Sequence, residues 1–284
     1  MLGRKELTLK LPSRKLALGE RALVMGVLNV TPDSFSDGGK WLDADRAARR
    51  ALEMQADGAD LIDIGGESTR PGSEAVSATE ELARVLPVLK RLRGRLKIAI
   101  SIDTQKAAVA EAAIAAGAEI VNDVSALRTD PALAAVVRRA RVPVILMHMR
   151  GRPKTMQKRP FARDVMHDVA RGLREAARRA RAAGIPRSHV LLDPGIGFGK
   201  STEQNCELLA RLPELARLGY PLVVGTSRKT FLGKLLGGAA EDKRIWATAA
   251  SVTAAVLGGA HIVRVHDVAE MVQVVRIAGA IAQA

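Results

Sequence analysis

Short apolar, β-branched runs alternate along this chain with segments whose apolar residues recur at three- and four-residue steps. Runs of the first kind stand at 22–29, 60–65, 97–103, 119–123, 143–148, 189–193, 221–225 and 261–266, and their length and composition predict strands. Helices are predicted between and after them, at 43–57, 77–93, 105–117, 131–140, 161–184, 202–218, 244–258 and 268–281. Three of these helices run out in ADGAD, AAGAE and LGGAH, where a glycine suits a left-handed C-cap. Eight strand–helix units in 284 residues predict an α/β fold, a single (β/α)8 TIM barrel over 1–284. The first ~20 residues alternate polar and apolar positions and are expected to form a short N-terminal strand or hairpin covering the barrel bottom. No linker or second domain is predicted.

Composition narrows this picture. At 48% apolar residues the chain can bury a large core. Its longest apolar run, 22–30, is far short of the ~18 residues of a membrane span. The N-terminus lacks the apolar h-region of a secretory signal. A single cysteine, Cys206, excludes an internal disulfide and fits a reducing, cytoplasmic location. The net charge of +14 raises nucleic acid as a partner. Aromatic residues make up only 2%, however, and the arginines are spread through amphipathic helices such as REAARRARAAG. The expectation is therefore no nucleic-acid partner, but a basic shell whose field draws small anions.

In such barrels chemistry collects where strands end. Asn29 ends the first predicted strand, ahead of the long loop VTPDSFSDGG. The second strand carries Asp63 and leads into GGESTRPGSEAVS, with Thr69 and Arg70. Asp103-Thr104, Asn122-Asp123, Met147-His148 and Asp193 follow at the next four strand ends. After the seventh strand comes GTSRK with Lys229, and the eighth holds Arg264 and His266 two apart, on one side.

Each has a plainer reading. Asp103 and Asp123 could cap helices, His148 and His266 taken singly are more often structural, Pro71 and Gly72 could punctuate a turn, Phe35 and Phe198 could anchor loops, and Lys200 reads as a surface charge. Capping alone does not call for Asn29, Asp193, Lys229 and Arg264 together. As a ring, Asp103, Asn122 and Asp193 could read the amino edge of a flat heterocycle through paired hydrogen bonds. Arg264 could stack on it and Lys229 donate to a ring carbonyl, while Asn29, Arg70 and His266 could gather on an anion such as phosphate. No Ser-His-Asp set, H-E-x-x-H or cysteine cluster is present. The site is built to bind and polarise.

The stretch LDPGIGFGKS (192–201) imitates a nucleotide loop, but its glycine spacing meets neither the P-loop nor the dinucleotide rule. Asp193 is its significant residue. Gly195, Gly197 and Gly199 let the backbone turn tightly, Ser201 caps the next helix, and Lys200 is expected to have no role.

Segments spanning nearly the whole chain resemble dihydropteroate synthase, of the pterin-binding TIM-barrel family. They are MGVLNVTPDSFSDGG (25–39), DIGGESTRPGS (63–73), ISIDT (100–104), IVNDVSAL (120–127), PVILMHMRGRPKTMQ (143–157), LDPGIGFGKSTEQN (192–205), VGTSRKTFLG (224–233) and IVRVHDVAE (262–270). The resemblance implies that p-aminobenzoate displaces diphosphate from 6-hydroxymethyl-7,8-dihydropterin diphosphate, giving 7,8-dihydropteroate in folate biosynthesis. It places Asp103, Asn122, Met147, Asp193, Gly225, Lys229 and Arg264 on the pterin. Phe35, Thr69, Arg70, Pro71, Phe198 and Ser227 fall on the p-aminobenzoate side, where sulfonamides compete. Asn29, Arg70, Arg264 and His266 fall near the diphosphate, with Asn29 helping to bind Mg²⁺. Lys229, Arg264, His266, Asp103 and Arg70 would carry the chemistry, and the late helices would form a homodimer. Gln204 stands where a histidine is common in the family, and Lys243 and Trp246 also depart from its pattern. The alternatives are a methyltetrahydrofolate–corrinoid methyltransferase, which has no diphosphate to bind, and a non-catalytic pterin-binding paralogue.

Overall fold

The computed structural model describes residues 4–31, 40–68, 73–151, 156 and 162–284, with the side chains of 40–43 excepted. Phe35, Thr69, Arg70 and Pro71 lie outside the described residues.

The alternating N-terminal segment folds as an antiparallel hairpin of β1 (Leu7–Lys10) and β2 (Lys15–Leu18). The eight predicted strands follow as β3 (Leu23–Asn29), β4 (Leu61–Gly65), β5 (Ala99–Asp103), β6 (Ile120–Asp123), β7 (Val144–Met147), β8 (Val190–Asp193), β9 (Val223–Gly225) and β10 (Ile262–Val265). They pair in parallel, in the order β8-β7-β6-β5-β4-β3-β10-β9. A bridge between Leu192 and Leu222, with Leu192 N donating to Pro221 O at 2.9 Å, closes β8 on β9. The result is the expected barrel.

Helices α1 (Lys40–Ala56), α2 (Ala78–Leu92), α3 (Ala107–Ala115), α4 (Leu133–Ala140) and α5 (Val165–Ala182) surround the sheet, followed by α6 (Thr202–Ala210), α7 (Leu212–Ala216), α8 (Thr230–Leu235), α9 (Ile245–Leu257) and α10 (Val268–Gln283). The single helix expected at 202–218 is two, because Pro213 in the first turn of α7 cannot continue a helix from Leu209. The fifth begins at 165 rather than 161, where the Asp164 carboxylate accepts the His167 N–H at 2.9 Å as its N-cap. Helix α8 escaped the sequence reading because six residues hold too few turns to show a period. The expected terminating glycines, Gly58, Gly117 and Gly259, all have positive φ. No described helix is long and apolar enough to cross a membrane.

Period two along each strand sorts the barrel into layers. The lower inward positions are Leu23, Met25, Leu61, Ala99, Ile120, Ile145, Leu191, Val223 and Ile262, and they form one cluster with Leu9, Leu11 and Leu18 of the hairpin region. The hairpin therefore plugs the barrel floor, as expected. Two residues further up the same strands stand Asp63, Ser101, Asn122, Met147, Asp193, Gly225 and Arg264, with Asp103 two residues beyond Ser101. Outward positions such as Ile62, Ile102, Val121, Leu146, Leu192 and Val263 pack on the helices. One register thus gives an apolar floor, a polar mouth and an apolar outer seam.

Candidate active site

The polar mouth is organised around Asp63, fully buried at the centre of β4. Its Oδ2 accepts from Arg264 Nε at 2.6 Å and from Asn122 Nδ2 at 2.9 Å. Arg264 also gives Nη2 to Asp103 Oδ2 at 2.9 Å. The guanidinium thereby ties β10 to β4 and β5, and Asp63 brings in β6 through Asn122. Asp63 was legible as a strand residue, but its anchoring role was not. The signal available was its place on the inward face between Leu61 and Gly65.

Two carboxyls share one cation here, so one negative charge is in excess in a buried place. Burial pushes the Asp103 carboxyl up, to about 8, with Arg264 pulling it back and the Asp63 charge adding to the rise. Because the folded value lies above the unfolded one, this group's stabilisation is fully present below pH 3.8 and is lost as pH rises toward about 8. Urea denaturation at pH 5 and pH 8 should show a drop in stability that Asp103→Asn reduces. An equal drop in the variant would refute the assignment. The cap reading of Asp103 does not hold, since its carboxyl faces the barrel axis. Nor does it hold for Asp123, whose carboxylate accepts the Ser125 and Leu127 N–H groups at 2.8 and 2.6 Å and so braces the turn after β6, ahead of α4, which starts only at Leu133.

On the opposite side, Asp193 is 7% exposed and its Oδ1 accepts the Gly195 N–H at 2.7 Å. Burial raises its pKa, while Lys229 and the Gly195 bond lower it. Lys229 donates to the Ile196 carbonyl and lies 4.7 Å from the centre of the Phe198 ring. Burial draws the Lys229 ammonium down to about 8, against the pull of Asp193. Arg228, at φ 59, bonds Asp267 through its guanidinium, and Thr248 Oγ1 accepts its N–H at 3.1 Å. That bracing of the loop after β9 aims Lys229 inward. Ser227 Oγ accepts the His266 N–H at 3.2 Å and lies 3.1 Å from His266 Nδ1.

Asn29, Asp103, Phe198, Ser227, Lys229, Arg264 and His266 line one cavity of about 1360 Å³ at the barrel mouth. Asn122 and Asp193 are buried and are not part of its lining, Asn122 bonded to Asp63 and Asp193 to the Gly195 N–H, and Gly225 lies beside Arg264 in the β9–β10 register. Met147 packs with Val124, Met149 and Met156 beneath Phe198.

The loop 193–201 departs from its sequence reading at one residue. Lys200 is no surface charge: it is 4% exposed, and Nζ donates to the carbonyls of Gly195, Phe198 and His148 at 2.8, 3.0 and 3.3 Å. A four-carbon stem can fold under a glycine turn, which periodicity cannot reveal. Ser201 caps α6 as expected, in a capping box completed by Gln204. At Gly195, φ is +66 and a Cβ would stand 1.9 Å from His148 O. Gly195→Ala should therefore cost about 2 kcal/mol or more in urea denaturation; a loss under half of that would refute the tight turn.

The model of a family described as pterin binding enzyme matches residues 25–266. The chain is 48% identical to the dihydropteroate synthase of Synechocystis sp. over 263 residues, 93% of this chain and 91% of that protein. It is 47% identical to that of Escherichia coli over 254 residues, 89% of each. Among solved structures, the Xanthomonas albilineans dihydropteroate synthase with 4-aminobenzoic acid superposes at a TM-score of 0.92, with 45% identity over 99% of this chain and all of that one. The Yersinia pestis enzyme in a sulfonamide drug complex gives 0.91, with 45% identity over 98% of this chain and all of that one.

Proposed function

Because the chain belongs to the pterin-binding enzyme family, among its dihydropteroate synthases, we propose that it joins p-aminobenzoate to 6-hydroxymethyl-7,8-dihydropterin diphosphate and releases diphosphate. The observation that carries this reading is the ring tied through Arg264. Asp103 of β5 faces Lys229 and Arg264 in one cavity, Asp63 ties the buried Asn122 of β6 to the same guanidinium, and the buried carboxylate of Asp193 on β8 opposes Lys229.

In this mechanism Asp103, Asn122 and Asp193 hold the amino edge of the pterin and Lys229 donates to its ring carbonyl. Arg264 lies along the ring. The bond from CH₂ to the diphosphate oxygen breaks, its electrons leaving with the diphosphate, and the arylamine nitrogen forms the new C–N bond and then loses a proton to water. The arylamine is neutral at pH 7, so no strong base is required. The need is to stabilise the leaving anion, and Arg264 and His266, with the loop amides near them, supply it. Asn29 offers one amide oxygen at the cavity wall, and no group of three or more His, Cys, Asp or Glu residues stands ready for a metal among the described residues. Magnesium is commonly held by one or two protein oxygens together with substrate phosphates, so this donor set fits Mg²⁺ arriving with the diphosphate. When bound it would neutralise charge on the leaving group.

The test mixes the purified protein with the pterin diphosphate, Mg²⁺ and labelled p-aminobenzoate, measuring dihydropteroate and diphosphate together. Equimolar release of both supports the reading; pterin binding without turnover would replace it with the non-catalytic paralogue. Lys229→Ala should raise the pterin KM at least tenfold with the fold intact by circular dichroism. The proposal extends to a homodimer. Trp246 is 82% and Ile277 65% exposed, and Leu235, Leu236 and Ile281 are also exposed on α8 to α10. A second copy would cover this apolar face. Sedimentation should give a dimer that Ile277→Glu converts to monomer, and a monomeric wild type would refute it.

A further inference from the structure

We infer that Lys200 is a positioning residue of the pterin site, holding the glycine turn after β8 and the end of β7 in the one arrangement that aims Asp193. The inference rests on the pterin reading above. Three ammonium protons are given to three main-chain carbonyls, two from the turn itself, Gly195 and Phe198, and one from His148 beyond β7. The same two residues, His148 and Gly195, turn their N–H groups to Asp193. His148 N donates to the Asp193 carbonyl at 2.9 Å, and Gly195 N to the Asp193 carboxylate at 2.7 Å. Each of these residues is therefore gripped at its N–H by Asp193 and at its C=O by Lys200. The aspartate that would read the pterin edge and the buried ammonium are the two ends of one hydrogen-bonded unit.

No other side chain of the turn could do this work. Gly195, Gly197 and Gly199 all have positive φ, so the turn carries few side chains that could brace it. Asn205 Oδ1 takes the Gly197 N–H at 2.6 Å, and Lys229 takes the Ile196 carbonyl. The Gly195 and Phe198 carbonyls point to the inside, where Lys200 meets them. Lys200 forms no ion pair among the described residues, and burial draws its ammonium down to about 7, with Asp193 opposing and Lys229 reinforcing the fall. A charge kept in the interior at that cost, satisfied by carbonyls rather than a carboxylate, marks a donor whose geometry matters. Replacing it with an apolar side chain of equal length removes the charge burial but takes the ammonium donor from the His148 and Phe198 carbonyls and leaves the Gly195 carbonyl with only the Phe198 N–H at 3.0 Å.

The experiment compares Lys200→Met and Lys200→Ala with wild type for binding of 6-hydroxymethyl-7,8-dihydropterin diphosphate by calorimetry, on protein shown to be folded by circular dichroism. Both variants should bind at least tenfold more weakly. Ethylammonium should restore affinity to Lys200→Ala, and tetramethylammonium, which has no N–H to give, should not. Affinity within twofold of wild type in Lys200→Met, or equal rescue by both cations, overturns the inference. Should neither variant fold, the Lys200 ammonium is followed by ¹⁵N NMR in the wild-type protein. A shift on adding the pterin diphosphate supports the assignment, and an unmoved signal overturns it. A wild-type protein with no affinity for the pterin would defeat the functional reading instead.

Discussion

Arg264→Met will lower kcat/KM for the pterin diphosphate by about three orders of magnitude, the scale of losing one preorganised charge donor at a leaving group. The reason lies in how few freedoms the side chain has. Nε and Nη2 are committed to Asp63 and Asp103 at 2.6 and 2.9 Å, so the guanidinium is held in place before substrate arrives. Methionine keeps an apolar stem on β10 and so isolates the charge from the packing. A second loss follows from the same geometry. Arg264 pulls the Asp103 pKa down, so without it Asp103 holds its proton to still higher pH and presents a carboxylate to the pterin edge in a smaller fraction of molecules. Steady-state kinetics at pH 7 and pH 9 separate the two effects, because raising the pH restores only the Asp103 part. A loss of less than tenfold at both pH values would remove Arg264 from the chemistry.

The fold was readable because one physical rule, the two-residue period of a strand, places the whole interior. Leu61, Asp63 and Gly65 share a face whatever the helices do, and so do Ile262, Arg264 and His266. Residue type then says that the floor is apolar and the mouth polar. The ring members emerge from position alone, and the helix caps Ser201 and Asp164 follow from local chemistry. What stayed hidden were contacts that depend on reach across the fold. Lys200 looks like any lysine next to a glycine turn until the turn is seen to curl over it. Asp63 reveals its role only when Arg264, 201 residues away in the chain, arrives beside it. Arg228 at φ 59 is a further case, since its left-handed backbone is sustained by Asp267 and Thr248, which belong to later elements.

Asp63→Ala is expected to be the most damaging substitution at the base of the site, costing about 3 kcal/mol of stability by removing one partner of a buried ion pair. It also leaves the Asn122 amide without the acceptor it now holds at 2.9 Å. Activity should fall at least a hundredfold even though Asp63 is wholly buried, because Arg264 and Asn122 would lose their common aim. A double-mutant cycle with Arg264→Met tests the claim. With both partners gone no charge of that pair is stranded, so the double variant should be more stable than the sum of the single losses predicts, by about 1 to 3 kcal/mol. Additive losses would mean that the pair does not act as a unit. The pH dependence gives an independent sign. Asp63 is one of the charges that raise the Asp103 pKa, so in Asp63→Ala that pKa falls. The loss of stability on going from pH 5 to pH 8 should then be smaller than in wild type. Arg264→Met removes the opposing charge and moves the same slope the other way. Two substitutions at the ends of one ion pair, with opposite effects on a third residue, cannot be explained by general loosening of the barrel.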